Sequence, residues 1–265
     1  HRDLHSFPTR RSSDLLTQAI LEMGIRLQSP IERLGSDADY CGIGEKYSEL
    51  GKLRDVSNAC YLGIGTGVAD AMVLDGNLLA FDQAREWIAK SWEMLSRSGL
   101  SFEKCVSMPA IARRYLEKCG GASQEIHAGI VFENAFTGEA RAQEVLDEVS
   151  IDLAQLIFDR IYTLAEGGTT AAIANPNRPP LLADHSFRGK HWERIVLGLR
   201  LGDLWEKYFS IFGKNVCQCL YACLKALPAS VQSFYLEGES IRPGLLVSSS
   251  LENAPLIGAG LDAYR

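Results

Sequence analysis

No stretch of this 265-residue sequence approaches the roughly 20 consecutive apolar residues that cross a bilayer. Its start also lacks the charged flank and apolar core of a secretory leader. Both absences predict a soluble, cytoplasmic protein with no membrane partner. A basic excess is missing too: 27 Lys and Arg stand against 33 Asp and Glu, for a net charge of -6 and a pI near 5.5. Nothing in this balance neutralises a phosphate backbone, which argues against a nucleic-acid partner. Cysteine is present but unpaired in number. Cys41, Cys60, Cys105, Cys119, Cys217, Cys219 and Cys223 make an odd set scattered through apolar segments, which suits reduced thiols and predicts no structural disulfide. Cys217, Cys219 and Cys223 cluster but have no histidine nearby, so they read as core thiols before they read as metal ligands.

What is present is a chain 46% hydrophobic and 23% charged, enough for one large core or two modest ones. Its first fifteen residues, HRDLHSFPTRRSSDL, are polar and show no helical or strand period. They resemble a translated sequencing adapter, and residues 1–15 are expected to be non-native. The opening HRDL is also the start of the protein-kinase catalytic loop, but Pro8 stands where that loop needs Asn and no DFG follows.

The spacing predicts a helix over 16–29, a link at Pro30, and a second helical stretch in SDADYCGIGEKYSEL. The period then changes. VSNACYLGI, VADAMVL and NLLAF read as an antiparallel three-strand meander, joined by a Gly-Thr-Gly turn and by Asp75-Gly76, a type I′ hairpin signal. Helices are expected over 82–97, where Trp87, Ile88, Trp92 and Leu95 recur at helical spacing, over 108–119 after Pro109, and over 139–165. After a proline-rich loop come a strand RIVLGLR, a helix over 203–227, a strand pair at SFYLEG and GLLVSSS, and a last helix, APLIGAGLDAY. Strands alternating with helices predict α/β layers. The helical part of the chain is placed at 16–50 and the main lobe at 51–265.

Four segments carry a resemblance. GSDADYCGIGE (35–45), YLGIGTGVADAMVLDGNLL (61–79), SFEKCVSMPAIARRYLE (101–117), and the pair FTGEARAQEVLDEVSIDLAQLI and APLIGAGLDAY occur in the order of the ROK family of sugar kinases and repressors. The sequence is similar to that family over residues 31–265. The resemblance implies an actin-like ATPase (ribonuclease H-like) lobe, and an ATP- and Mg2+-dependent phosphoryl transfer to a hexose or amino-sugar hydroxyl. It also implies that the family's first phosphate loop, a DxGxT hairpin, lies in an N-terminal lobe outside this sequence. The alternative is a non-catalytic sugar- or nucleotide-sensing regulator on the same fold. Self-pairing into a homodimer stays open.

By that resemblance Asp37 is the general base and Ser36, Asp37 and Glu103 contact the sugar. Gly65, Thr66 and Gly67 cradle nucleotide phosphates, and Gly198 and Gly202 lie at the nucleotide base, with Arg200 nearby. Each has a plainer reading. Ser36-Asp37 suits a helix N-cap, Gly-Thr-Gly suits a tight turn, Glu103 suits a solvated helix start, and Gly198 suits a strand-to-helix hinge. Departures are as informative as matches. The family's GH dipeptide and its CxCGxxGC zinc run should precede Glu103, yet residues 81–102 hold no His and no Cys, so no zinc is expected. Ala69, Asp70 and Ala71 replace glycines beside the expected phosphates, where Asp70 either repels phosphate or helps hold a cation. Leu199 stands where the family has a second glycine. His185, Arg188, Lys190 and His191 form a basic loop, read as solvated before it is read as an anion site.

Overall fold

A computed structural model of the chain describes residues 9–24, 26, 35–121 and 126–262. The chain divides into two units, His1–Asp37 and Ala38–Arg265. The first holds a helix, α1 (Thr9–Glu22), which ends at Gly24 with φ +76. Gln18 Nε2 donates to Glu22 Oε1 one turn on, at 2.9 Å. The expected start at residue 16 is therefore corrected by seven residues. The abrupt change at Leu16 is one of polarity rather than backbone state, since Arg, Ser and Asp are tolerated in helices. Pro30 and the link beyond it lie outside the described residues.

Next come α2 (Asp37–Tyr47), β1 (Ala59–Ile64), β2 (Val68–Leu74), β3 (Asn77–Leu78), α3 (Phe81–Ala84), a 3-10 turn at Ser91–Glu93 and β4 (Met94–Leu95). Four helices follow: α4 (Phe102–Val106), α5 (Met108–Lys118), α6 (Ala128–Phe136) and α7 (Ala140–Ala165). The remainder is β5 (Ala172–Ile173), β6 (Arg194–Gly198), α8 (Leu199–Lys207), a π turn at Phe209–Gly213, α9 (Lys214–Leu224), α10 (Ala229–Tyr235), β7 (Leu236–Glu237), β8 (Ser240–Ile241), β9 (Leu246–Ser248) and α11 (Ala254–Asp262).

A five-stranded mixed sheet in the order β3-β2-β1-β6-β9 organises the second unit. β1 pairs antiparallel with β2 and parallel with β6, and β6 pairs parallel with β9. β2 reverses into β3 through Asp75 and Gly76, both at positive φ as a type I′ turn requires. β1 is buried along its whole length because neighbours flank both edges and helices cover both faces. Its alternation sorts the cores. Cys60, Leu62 and Ile64 join the large core, and Ala59 and Tyr61 join the smaller one with Cys41, Val196 and Ala254. The large core is organised on α7, whose stripe Leu146, Val149, Leu153, Leu156, Ile157, Ile161 and Leu164 is fully buried as its spacing predicts. Each such side chain contributes about 1.5–3 kcal/mol by burial. On the other face α2 and α11 approach at backbone distance. A Cβ at Gly44 would lie 2.5 Å from Ala254 O, and one at Gly258 would lie 1.8 Å from Tyr40 O.

Three expectations are corrected. The 82–97 segment is not one helix, and its carbonyls are bonded from elsewhere: Arg160 Nη1 donates to Ala89 O at 2.7 Å, and Arg178 Nη2 to Arg85 O at 2.7 Å and Ile88 O at 3.0 Å. These side-chain bonds satisfy carbonyls that the irregular path leaves without ladder partners. The 203–227 helix begins earlier, at Leu199, and is broken by the π turn. SFYLEG does not pair with GLLVSSS; SFY ends α10, β7 pairs with β8, and β9 joins the main sheet instead.

Candidate functional site

The Gly-Thr-Gly turn joins β1 to β2 at the carboxyl end of β1. Gly65 N–H donates to Gly67 O at 3.0 Å, and Met108 N–H, at the start of α5, donates to Gly65 O at 2.8 Å. Thr66 is exposed. Glu103, in the first turn of α4, reaches the turn from one side: its Oε2 accepts from Val68 N–H at 3.1 Å. A Cβ at Gly67 would stand 2.7 Å from that oxygen, so glycine is needed there for the carboxylate to approach. The turn and Glu103 are thus brought together, and among the described residues none bonds Glu103 Oε1.

Asp70 does neither of the two things its sequence neighbourhood suggests. On β2 it shares a face with Val68 and Met72, both in the large core, so strand alternation turns its carboxylate inward. There Oδ1 accepts from Arg160 Nη2 at 2.9 Å and from Ser91 Oγ at 2.7 Å, while Oδ2 accepts from Ser91 N–H at 2.8 Å. Both charged side chains are fully excluded from solvent. A buried carboxylate satisfied by a guanidinium and two further donors offers nothing to a phosphate or a cation. Beside it, burial pushes the Cys60 thiol up to about 12, leaving it inert.

At the end of β6 the chain turns into α8 through Gly198 and Leu199. Gly198 faces Gly63 across the parallel pair, and both serve Tyr61: a Cβ on Gly198 would meet its ring at 2.3 Å, and one on Gly63 at 2.6 Å. Gly202 is equally a packing residue, its missing Cβ lying 2.8 Å from Leu197 O. Leu199 carries a φ of +55. This left-handed conformation costs an L-residue about 1–2 kcal/mol, and most for a bulky one. Leu199, Arg200 and Asp203 form one wall of an open cleft of about 490 Å3; Ser249, Leu251, Glu252 and Asn253, after β9, form the other. The cleft lies past the carboxyl ends of two parallel strands, where open α/β sheets take ligands. Leu199 also reaches the turn, with its Cδ1 3.5 Å from the Cβ position of Gly65.

The same architecture occurs in solved structures. A putative sugar kinase from Cytophaga hutchinsonii superposes at a TM-score of 0.61 with 16% identity, covering 96% of this chain and 70% of that one. A ROK family glucokinase from Streptomyces griseus in complex with glucose and AMPPNP gives 0.53 and 12% identity, covering 91% and 69%. A ROK family transcriptional regulator, a homologue of the E. coli MLC protein, gives 0.53 and 17%, covering 93% and 55%. The chain has a ROK fold. No family model matches it, and no curated protein matches it by sequence.

Within the ROK fold of this chain, α2 supplies a residue whose role sequence reading missed. Glu45, the last of GSDADYCGIGE, is fully buried. Its Oε2 accepts from Lys52 N–H at 2.7 Å, and its Oε1 accepts from Ser249 Oγ on the cleft wall. Ser249 Oγ in turn accepts from Leu251 N–H at 3.0 Å, and Ser249 N–H donates to Leu197 O at 2.8 Å. Burial holds the Glu45 carboxyl above its ordinary range despite these bonds. The only sequence signal was an acid at the end of a glycine-containing helix.

Ser36 and Asp37 stand exposed, Asp37 opening α2. Arg200 lies on the cleft and pairs with Asp203 at 3.2 Å. The basic loop does not converge on one point. His185 stacks on Trp87 with centroids 4.2 Å apart, His191 stacks on Phe234 at 3.7 Å, and Lys190 pairs with Asp75. Burial lowers the pKa of both histidines. Cys217, Cys219 and Cys223 are free and half-buried, each thiol raised by burial. Among the described residues no group of three or more His, Cys, Asp or Glu is placed to hold a metal ion, and no helix is long and apolar enough to cross a membrane.

Proposed function

We propose that this chain is a ligand-binding protein on an actin-like ROK lobe, a cytoplasmic sensor of a sugar or nucleotide rather than a phosphoryl-transfer enzyme. One observation carries the reading: the chain's own side chains occupy both flanks of the Gly-Thr-Gly turn. Glu103 sets a carboxylate against Gly67 and Leu199 sets an apolar side chain against Gly65. Phosphoryl transfer relies on amide donors held open to the transferred group. The cleft has room and hydrogen-bonding groups for a nucleoside. Leu199 stands between the cleft and the turn, so a triphosphate reaching from one to the other would have to pass its side chain.

The second reading is an ATP- and Mg2+-dependent kinase of a hexose or amino sugar, with Asp37 as general base and Ser36 and Glu103 on the sugar. It is favoured by Glu103 Oε1, which bonds none of the described residues, beside a Gly-Thr-Gly turn. The chain without the implied N-terminal lobe is expected to be inactive under either reading, so one assay separates the two on the protein with that lobe present. With ATP, Mg2+ and a panel of hexoses and amino sugars, the sensor binds a ligand without turnover; turnover abolished by Asp37→Asn establishes the kinase instead.

A further inference from the structure

The cleft and the Gly-Thr-Gly turn meet at one side chain. Leu199 lines the cleft, and its Cδ1 and Cβ lie 3.5 and 3.9 Å from the Cβ position of Gly65. It does so at φ +55, a conformation a branched side chain disfavours and glycine adopts freely. The charge around the route is also wrong for phosphate. Among the described residues of the cleft wall Arg200 is the one cation, it is already paired with Asp203, and Glu252 adds a second acid. At the far flank of the turn, Glu103 Oε2 already accepts from Val68 N–H. A phosphate chain leading from cleft to turn would meet an apolar side chain, a carboxylate and a net acidic wall. A neutral ligand with a ring and hydroxyls meets none of these penalties.

We propose that Leu199 is a specificity-determining residue that bars the Gly-Thr-Gly turn to phosphates, so that the cleft takes a ligand of the nucleoside class without its triphosphate. This rests on the reading of the cleft as a nucleoside site. The bar is a single residue held in a glycine-like conformation, so Leu199→Gly removes obstruction and strain together.

Isothermal titration of the 265-residue chain with adenosine, and with AMPPNP plus Mg2+, tests this. The unsubstituted chain binds the two probes within about threefold of each other, and Leu199→Gly raises the ratio of AMPPNP to adenosine affinity roughly tenfold, about 1.4 kcal/mol, whatever the lost cleft contacts cost both probes. Leu199→Ala shifts the same way, so the test survives if the glycine variant does not fold. AMPPNP binding roughly tenfold tighter than adenosine to the unsubstituted chain overturns the role of Leu199 while the cleft reading stands. So does an unchanged ratio of the two affinities in folded variants that still bind adenosine. No adenosine binding by the unsubstituted chain overturns the cleft reading and the proposal with it.

Discussion

Arg160 and Asp70 pair at 2.9 Å across the interior, neither side chain exposed, and between them they fix the path of residues 89–91. Removing one partner strands the other as a buried charge, which costs about 3–5 kcal/mol, whereas replacing both with apolar groups of similar size is often close to neutral. Asp70→Ala is expected to lower the chemical-denaturation midpoint sharply, and Asp70→Ala with Arg160→Met to recover most of the loss. Equal destabilisation by the single and double variants would show that the pair is not the organising contact.

That pair also marks where sequence reading stops. Trp87, Ile88, Trp92 and Leu95 do recur at helical spacing, but a period within the segment cannot register Arg160 and Arg178, which arrive from 71 to 93 positions away to bond its carbonyls. Where the pattern and the hydrogen bonds are local, the reading holds: α7 and the Asp75-Gly76 turn follow from neighbours in sequence, whereas the inward carboxylate of Asp70 was missed because its partners Ser91 and Arg160 lie 21 and 90 positions away. The candidate site divides the same way. The Gly-Thr-Gly turn between two strands was legible. The φ of Leu199 and the burial of Glu45 were not, because both depend on how β6, β9 and α2 meet.

Glu45 gives the pH dependence a definite sign. Burial holds its carboxyl above the ordinary value of 4.5, so the folded state keeps this proton more tightly than the unfolded chain does. Its contribution to stability is then fully present below about pH 4.5 and is lost as pH rises through the folded pKa. Glu45→Gln stays neutral and keeps an acceptor for Lys52 N–H, so relative to the unsubstituted chain it gains stability as pH is raised from about 4 to 8. Denaturation midpoints at several pH values test this; a difference that stays constant over that range would rule out titration of Glu45.

Leu199 reverses an ordinary helix rule. Inside a helix, alanine normally stabilises relative to glycine by about 0.5–1 kcal/mol. At φ +55 the penalty on any Cβ reverses that order, so Leu199→Gly is expected to be more stable than Leu199→Ala by about 1 kcal/mol. The two variants lose nearly the same apolar contacts, which leaves the backbone as the difference between them. Thermal unfolding of the pair, independent of any ligand, measures it.

Gly67 and Glu103 form a steric couple that a double-mutant cycle resolves. A methyl at Gly67 would stand 2.7 Å from Glu103 Oε2, so Gly67→Ala must push the carboxylate off Val68 N–H or bend the turn, an overpacking cost of about 1–3 kcal/mol. Glu103→Ala removes the obstacle and one acceptor at once, leaving Val68 N–H to water. In that background Gly67→Ala should cost little, giving a coupling energy of about 1–2 kcal/mol between the two sites. The same cycle read by ligand affinity separates the roles of Glu103. If it serves only to brace the turn, sugar binding is weakened equally by Gly67→Ala and Glu103→Ala. If Oε1 also holds a ligand hydroxyl, Glu103→Ala weakens binding further than Gly67→Ala does, and Glu103→Gln restores only the part that bracing supplies.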